Sequence, residues 1–269
     1  MLKMSLYLFS ASFVALALAT GLYVWYAAAR RADLGRYATA AAWIGATFLG
    51  SSLLLRGLAS GRGPFSNMYE FSTAFAFGIT VVGVSGERRF NVKSTSPLVL
   101  LVALGLLAYA STLPSTIEPL VPALQNNLLL TLHVTMAVVA YGILALAFGA
   151  ATLYLVQVRA RTTWLPAPPI LDDMAYRSVM AGFPAMALVI MLGALWANTA
   201  WGRYWGWDPK ETASLVTLLI YGGYLHARAV RGWQGQRSAA LLLLGFAGVL
   251  FTYFGNLFFG GLHSYGGLS

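Results

Sequence analysis

Cysteine is absent from the 269 residues. The chain can therefore contribute no disulfide, thiolate metal site or thiol nucleophile of its own. Charge is nearly as scarce. Asp, Glu, Lys and Arg make up 9% of the residues, where a soluble domain carries about a quarter. Hydrophobic residues make up 59%. A surface this poor in charge has to be covered, and lipid is the medium that covers it. Histidine occurs only at 133, 226 and 263, so each can be weighed on its own.

What the chain has instead is long apolar runs. A helix needs roughly 20 apolar residues to cross about 30 Å of hydrocarbon. Eight runs qualify, at about 5–27, 37–56, 68–86, 96–113, 128–157, 177–198, 211–230 and 239–260. Backbone polar groups find no water in lipid, so helices are the expected form. The fold class expected is all-α, a polytopic membrane protein with a bundle of about eight transmembrane helices. Residues 1–269 are read as one membrane domain. The fifth run is long enough to project from the membrane or to tilt.

The formal net charge of +9 raises the question of nucleic acid. The placement of the cations answers it. Twelve of the seventeen Lys and Arg follow runs 1, 3, 5 and 7: Arg30, Arg31, Arg36; Arg88, Arg89, Lys93; Arg159, Arg161, Arg177; and Arg228, Arg231, Arg237. Lys3, Arg56, Arg62, Arg203 and Lys210 make up the rest. Such alternation is the positive-inside pattern, with the odd-numbered loops cytoplasmic and both termini outside. No nucleic-acid partner is expected. "AAARR" after run 1 offers small residues for a cleavage, but the run is too long for a signal peptide and its charge follows it. The Pro-rich "TTWLPAPPILDDMAYR" (162–177) reads as a cytoplasmic linker, and "LPSTIEPLVPALQNN" (113–127) as a long outer loop.

One short stretch breaks the apolar pattern. "WGRYWGWDPKE" (201–211) holds three tryptophans, a tyrosine and four charged side chains between runs 6 and 7. Part of it is helix punctuation. Asp208 suits an N-cap, Pro209 the first helical position and Glu211 the third, which is an acidic capping box. "NMYE" (67–70) repeats this at run 3, with Asn67 as cap. Interfacial tryptophans can also form an aromatic belt. A belt spreads its rings, however, whereas Trp196, Trp201, Tyr204, Trp205 and Trp207 crowd into twelve residues. With Gly202 and Gly206 between them they suggest a platform for a flat conjugated ring. Arg203 and Lys210 offer cations for carboxylates at its edge. A flat apolar ring with acidic arms describes a haem. Asp208 is expected to orient Arg203 or Lys210 as well as to cap.

His133 in "LLLTLHVTM" lies about five residues inside the outer end of run 5, and His263 in "GGLHSYGG" follows run 8 on the same side. Either alone can be an interface residue; together, level with the tryptophans, they can hold a haem iron from both faces. His226 sits about fifteen residues beyond Glu211, more than about 20 Å along the helix axis. It cannot reach the same iron. It is either a second, inner site or an interface residue near Arg228.

"WGRYWGWDPKETASLVTLLIYGGYLHAR" resembles the tryptophan-rich "WWD" signature of haem-handling proteins in c-type cytochrome maturation. With "PFSNMYEFSTAF" (64–75) and "GGLHSYG" (260–266), it is most similar to the CcsA/ResC type, a System II cytochrome c synthase subunit. The CcmC type usually lacks "DPKE", and the CcmF type is a much longer chain. The resemblance covers about residue 64 to the end. It implies a protein of the bacterial cytoplasmic membrane, or its thylakoid equivalent, that works with a CcsB/ResB-type partner. It also implies that haem b enters from the cytoplasm and is presented outside by the loop at about 196–212. His133 and His263 would hold the outer iron, and His226 an inner one. An apocytochrome with a Cys-x-x-Cys-His motif would bring the thiols that add to the haem vinyl groups. On this reading the chain is an enzyme only as a subunit of that synthase, and its part is positioning, so no side chain is assigned as a catalytic acid or base. The alternative is a haem exporter or chaperone without attachment chemistry, similar to the CcmC type.

Overall fold

The computed structural model describes residues 1–29, 31–125 and 127–264, except the side chains of Asn127 and Asn256. Arg30, Asn126 and the end of the quoted "GGLHSYG", Tyr265 and Gly266, lie outside the described residues. Eight α-helices and two 3-10 turns, with no strand, form the regular structure among the described residues. The helices are α1 (Leu2–Ala29), α2 (Ala32–Ser60), α3 (Met68–Phe90), α4 (Ser96–Ser111), α5 (Asn127–Ala160), α6 (Pro168–Trp201), α7 (Pro209–Arg231) and α8 (Gln236–Phe254). The all-helical membrane bundle expected from the apolar runs is the fold observed.

Local chemistry sets several helix ends. Asn67 caps α3, its side chain accepting from the Glu70 N–H, and α3 stops at Asn91, which takes the left-handed conformation at φ 53°. Asp208 and Glu211 form the full capping box of α7, whose far end turns off at Gly232. The stretch 162–177 is not a linker throughout, because α6 begins at Pro168 and runs 34 residues. Proline in a first helical turn loses only N–H groups that have no intrahelical partner there, so "PAPPIL" starts a helix instead of preventing one.

Six of the helices are long and apolar enough to cross a membrane. Helix α4 has 16 residues, about 24 Å, and α7 is polar at both ends. At 34 residues each, α5 and α6 are about 51 Å long, well beyond the hydrocarbon thickness.

Four antiparallel hairpins build the bundle. Ser52 Oγ on α2 donates to the Ser5 carbonyl on α1, while Tyr23 and Thr39 meet at the other end of the pair. Ser96 of α4 donates to Glu87 of α3. His133 of α5 meets Val189 of α6, and Thr217 of α7 meets Thr252 of α8. Arg228 near the end of α7 grips Asp172 near the start of α6. Helices α3 and α5 run parallel at the centre, with Phe75 stacked on Tyr141 at 5.2 Å. Most of the apolar stretch of these two is buried, whereas under half of α1, α2, α6 and α8 is. The odd-numbered turns, with most of the cations, therefore gather at one end of the bundle. The α6–α7 loop, the start of α3 and the segment after α8 gather at the other.

Candidate functional site

A pocket opens among α3, α5, α6 and α7 at the tryptophan end. It contains about 910 Å³ of space not filled by protein, part of it open to the outside. Phe71, Phe75, Tyr141, Trp196, Tyr204 and Trp205 give it aromatic walls, and Met68, Leu130 and Val134 add apolar ones. Both His133 and His263 line it, with Lys210 and Glu211 at its polar side.

The Nδ1 of each imidazole meets a named oxygen acceptor. On α5, His133 Nδ1 lies 3.0 Å from the Val189 carbonyl of α6, an acceptor only, so Nδ1 carries the hydrogen and Nε2 the lone pair. The ring lies parallel to Trp196, with centroids 6.2 Å apart. Gly193 makes this seat possible, because a Cβ there would stand 2.8 Å from His133 Cε1. His263 comes from the segment after α8. Its Nδ1 donates to Asp208 Oδ1 at 2.8 Å, and Trp196 and Trp201 flank the ring at 5.7 and 4.8 Å. Trp196 thus touches both imidazoles.

Asp208 ties the two chain segments together. Its Oδ1 also accepts from the Lys210 N–H that opens α7, and Oδ2 accepts from the Leu262 N–H. A Cβ at Gly261 would collide with Oδ2, so only glycine lets the C-terminal segment come this close. Burial alone would raise the Asp208 carboxyl, but the hydrogen bond from His263 and those from the two backbone N–H groups outweigh it and bring the pKa to about 2. For His263, burial lowers the pKa and outweighs the opposing pull of Asp208. At neutral pH the pair is a carboxylate accepting from a neutral imidazole, which puts the lone pair of His263 on Nε2. The expected partner of Asp208 was Arg203 or Lys210; its carboxylate meets His263 and backbone N–H groups.

The tryptophan-rich loop divides its side chains between two faces. Gly202 ends α6 at φ 72°, and Trp207 takes a left-handed φ of 57°, rare for a bulky residue. Gly206 and Asp208 donate their N–H groups to Glu211. Tyr204, Trp205 and Lys210 thereby face the pocket, while Trp207 packs edge-on against Trp205 and is 69% exposed. Trp201 stands behind His263, and Arg203 is exposed beside Gly206. His226 is elsewhere. It is exposed on α7, in one strip with Val216, Leu219, Gly223 and Val230.

Sequence reading missed the floor of the pocket. Met68, Phe71 and Phe75 recur at i, i+3 and i+7 in "NMYEFSTAF", a helical face that pointed at the site. It also missed what fixes that face. Arg56 and Glu70 form a fully buried ion pair, with Nη2 and Oε1 2.9 Å apart. Arg56 Nη1 donates to the Ser115 carbonyl, and Glu70 Oε2 accepts from the backbone and hydroxyl of Ser66. Ser115, early in the connection from α4 to α5, is therefore tied to the start of α3. Glu70, at the third position of α3, gives its carboxylate to Arg56 and Ser66. Among the described residues no cluster of three or more His, Cys, Asp or Glu forms a metal site; two imidazoles facing one pocket suit a metal that arrives with its other ligands.

Comparison with known proteins agrees with this architecture. The family model for cytochrome C assembly protein matches residues 65–263. The cytochrome c biogenesis protein CcsA of Gloeobacter violaceus is 34% identical, over 97% of this chain and 95% of that protein. The CcsA proteins of Synechococcus elongatus and Guillardia theta are each 36% identical; the first match covers 78% of this chain and 81% of the relative, the second 80% of each. Among solved structures, cytochrome c heme lyase CcmF is similar at a TM-score of 0.68 and 20% identity, over 94% of this chain and 46% of that one, a likeness of fold. The chain belongs to the cytochrome c assembly family and, within it, to the CcsA-type proteins of c-type cytochrome biogenesis.

Proposed function

We propose that the pocket would hold haem b, with His133 and His263 offering Nε2 to its iron, and would present it for thioether attachment to an apocytochrome c. One observation carries this reading. Imidazoles from two distant parts of the chain line one aromatic-walled pocket, each with its Nδ1 hydrogen committed to an oxygen acceptor. Such an outer contact fixes the tautomer and aims the other nitrogen. The residues of the chain bind, orient and exclude water. Trp196 and Trp205 wall the ring plane, and Lys210 offers a cation to a propionate. The reacting groups, vinyl and thiol, belong to haem and apocytochrome. Holding them in place turns a slow bimolecular addition into a nearly unimolecular one.

The segregation of cations supports a membrane orientation with the pocket outside, in the cytoplasmic membrane of a bacterium or a thylakoid equivalent. Haem then crosses from the cytoplasm. His226, exposed in a strip of apolar residues on α7, suits a ligand at an inner haem site completed by a CcsB/ResB-type partner. The test is reconstitution of the chain with that partner and an apocytochrome bearing Cys-x-x-Cys-His. Covalent cytochrome c is the expected product; a haem-loaded chain that never yields it would identify an exporter instead. In the same assay, His226→Ala is expected to deplete haem at the outer pocket, with partner binding intact and partial rescue by imidazole. Wild-type haem content and full maturation in that variant would remove His226 from the pathway.

A further inference from the structure

At the end of the bundle away from the two imidazoles, a groove lies between the start of α2, the end of α3 and the connection into α4. It holds about 710 Å³ of space not filled by protein. Arg36, Arg88 and Lys93 line it, with Trp43 and the buried Glu87. Lys93 is engaged, its Nζ donating to the Gly35 carbonyl at 2.9 Å and to Thr39 Oγ1 at 3.0 Å. Arg36 and Arg88 are exposed, and among the described residues neither guanidinium has a hydrogen-bond or ion-pair partner. Trp43 Nε1 is buried without an acceptor. Buried donors are normally satisfied, so an orphan indole N–H on a groove wall calls for an acceptor from outside the chain. Glu87 does not cancel the cations. Its oxygens accept from the hydroxyls of Tyr23, Thr39 and Ser96, and three cations against one carboxylate leave a net charge of +2.

The groove also has an apolar exit. Arg36, Ala40 and Ile44 are all exposed and follow one another at four-residue spacing, one above the other on a helix. The strip leads from a guanidinium at the membrane edge to bare apolar surface deeper in the bundle. We propose that this groove binds an acidic phospholipid. Its phosphate lies between Arg36 and Arg88 and accepts from Trp43, and its acyl chains follow Ala40 and Ile44. Guanidinium is the side chain best matched to phosphate oxygens, and basic pockets between membrane helices attract acidic headgroups. Inorganic phosphate meets the same donors but leaves the apolar strip unused, which separates the two sources.

Native mass spectrometry of the full chain, titrated with phosphatidylglycerol or phosphatidylcholine, tests this directly. The expected result is a roughly tenfold preference for phosphatidylglycerol, falling below about twofold in the double variant Arg36→Gln/Arg88→Gln. Trp43→Phe is expected to weaken phosphatidylglycerol alone. Both arginines are exposed, so an unchanged helical content and melting temperature show that the double variant is folded. Equal binding of the two lipids, or a preference that survives in the double variant, overturns the proposal. So does full displacement of phosphatidylglycerol by an equal concentration of inorganic phosphate. None of these readouts depends on haem.

Discussion

The two ends of the bundle use charge in opposite ways. At the tryptophan end charges are few, and the two pairs that brace the site, Arg56 with Glu70 and Asp208 with His263, are largely buried. At the other end cations are many and mostly exposed, and an ion pair such as Arg177 with Asp173 stands in solvent. Buried charge is costly to desolvate and tolerates only one geometry, so it builds a site. Exposed charge tolerates many geometries, so it sets orientation and meets headgroups. The contrast teaches where substitution should hurt.

The largest effect is expected at the buried pair. Arg56→Met leaves the Glu70 carboxylate buried without its cation and should cost about 3–5 kcal/mol, measured as a fall in thermal stability in detergent. Arg56→Met combined with Glu70→Leu should recover much of that loss, because no lone charge remains. A single variant as stable as the parent would mean the pair does not hold the start of α3.

Asp208 comes next. Asn caps as well as Asp, so Asp208→Asn should leave α7 intact. It weakens the acceptor that aims His263, and haem affinity should fall about 10–100-fold. Unchanged haem content would reduce Asp208 to a cap. The same carboxylate gives the end an acid sensitivity. Its pKa drops from an ordinary 3.8 to about 2 in the fold, so its stabilisation is complete above about pH 4 and is lost as pH falls toward 2. His263 adds to this from higher pH, because burial lowers its pKa and the unfolded chain takes up a proton first.

Two tryptophans two residues apart in sequence should then differ. Trp205 faces the pocket and Trp207 faces out. Trp205→Ala should weaken haem retention by about 1–3 kcal/mol, by analogy with stacking of bases on aromatic rings, and Trp207→Ala by much less. Equal losses would return the whole loop to the role of an undivided platform. The smallest effect belongs to the opposite end, where Arg177→Gln should change stability by no more than about 0.5 kcal/mol.

The helices were legible because a run of apolar residues long enough to cross lipid has few other uses. The capping of α7 was legible because Asp208, Pro209 and Glu211 act over a single turn. What escaped depends on contacts distant in sequence. Asp208 and His263 are 55 residues apart, and nothing local to either announces the other. Arg56 and Glu70 meet across a loop between two helices. Which rings face the pocket is decided by the backbone of the loop, where Trp207 turns left-handed, and composition carries no trace of that. The start of α6 was hidden by a rule applied too broadly, since proline breaks a helix interior but suits its first turn.

The central claim is that His133 and His263 hold one haem iron between them. The most direct measurement is the optical spectrum of the purified chain beside those of His133→Gly and His263→Gly, each with and without imidazole. Bis-histidine ligation predicts a low-spin spectrum for the parent, loss of it in both variants, and its return when imidazole fills the vacated position. A low-spin spectrum that survives either substitution without imidazole would contradict the account.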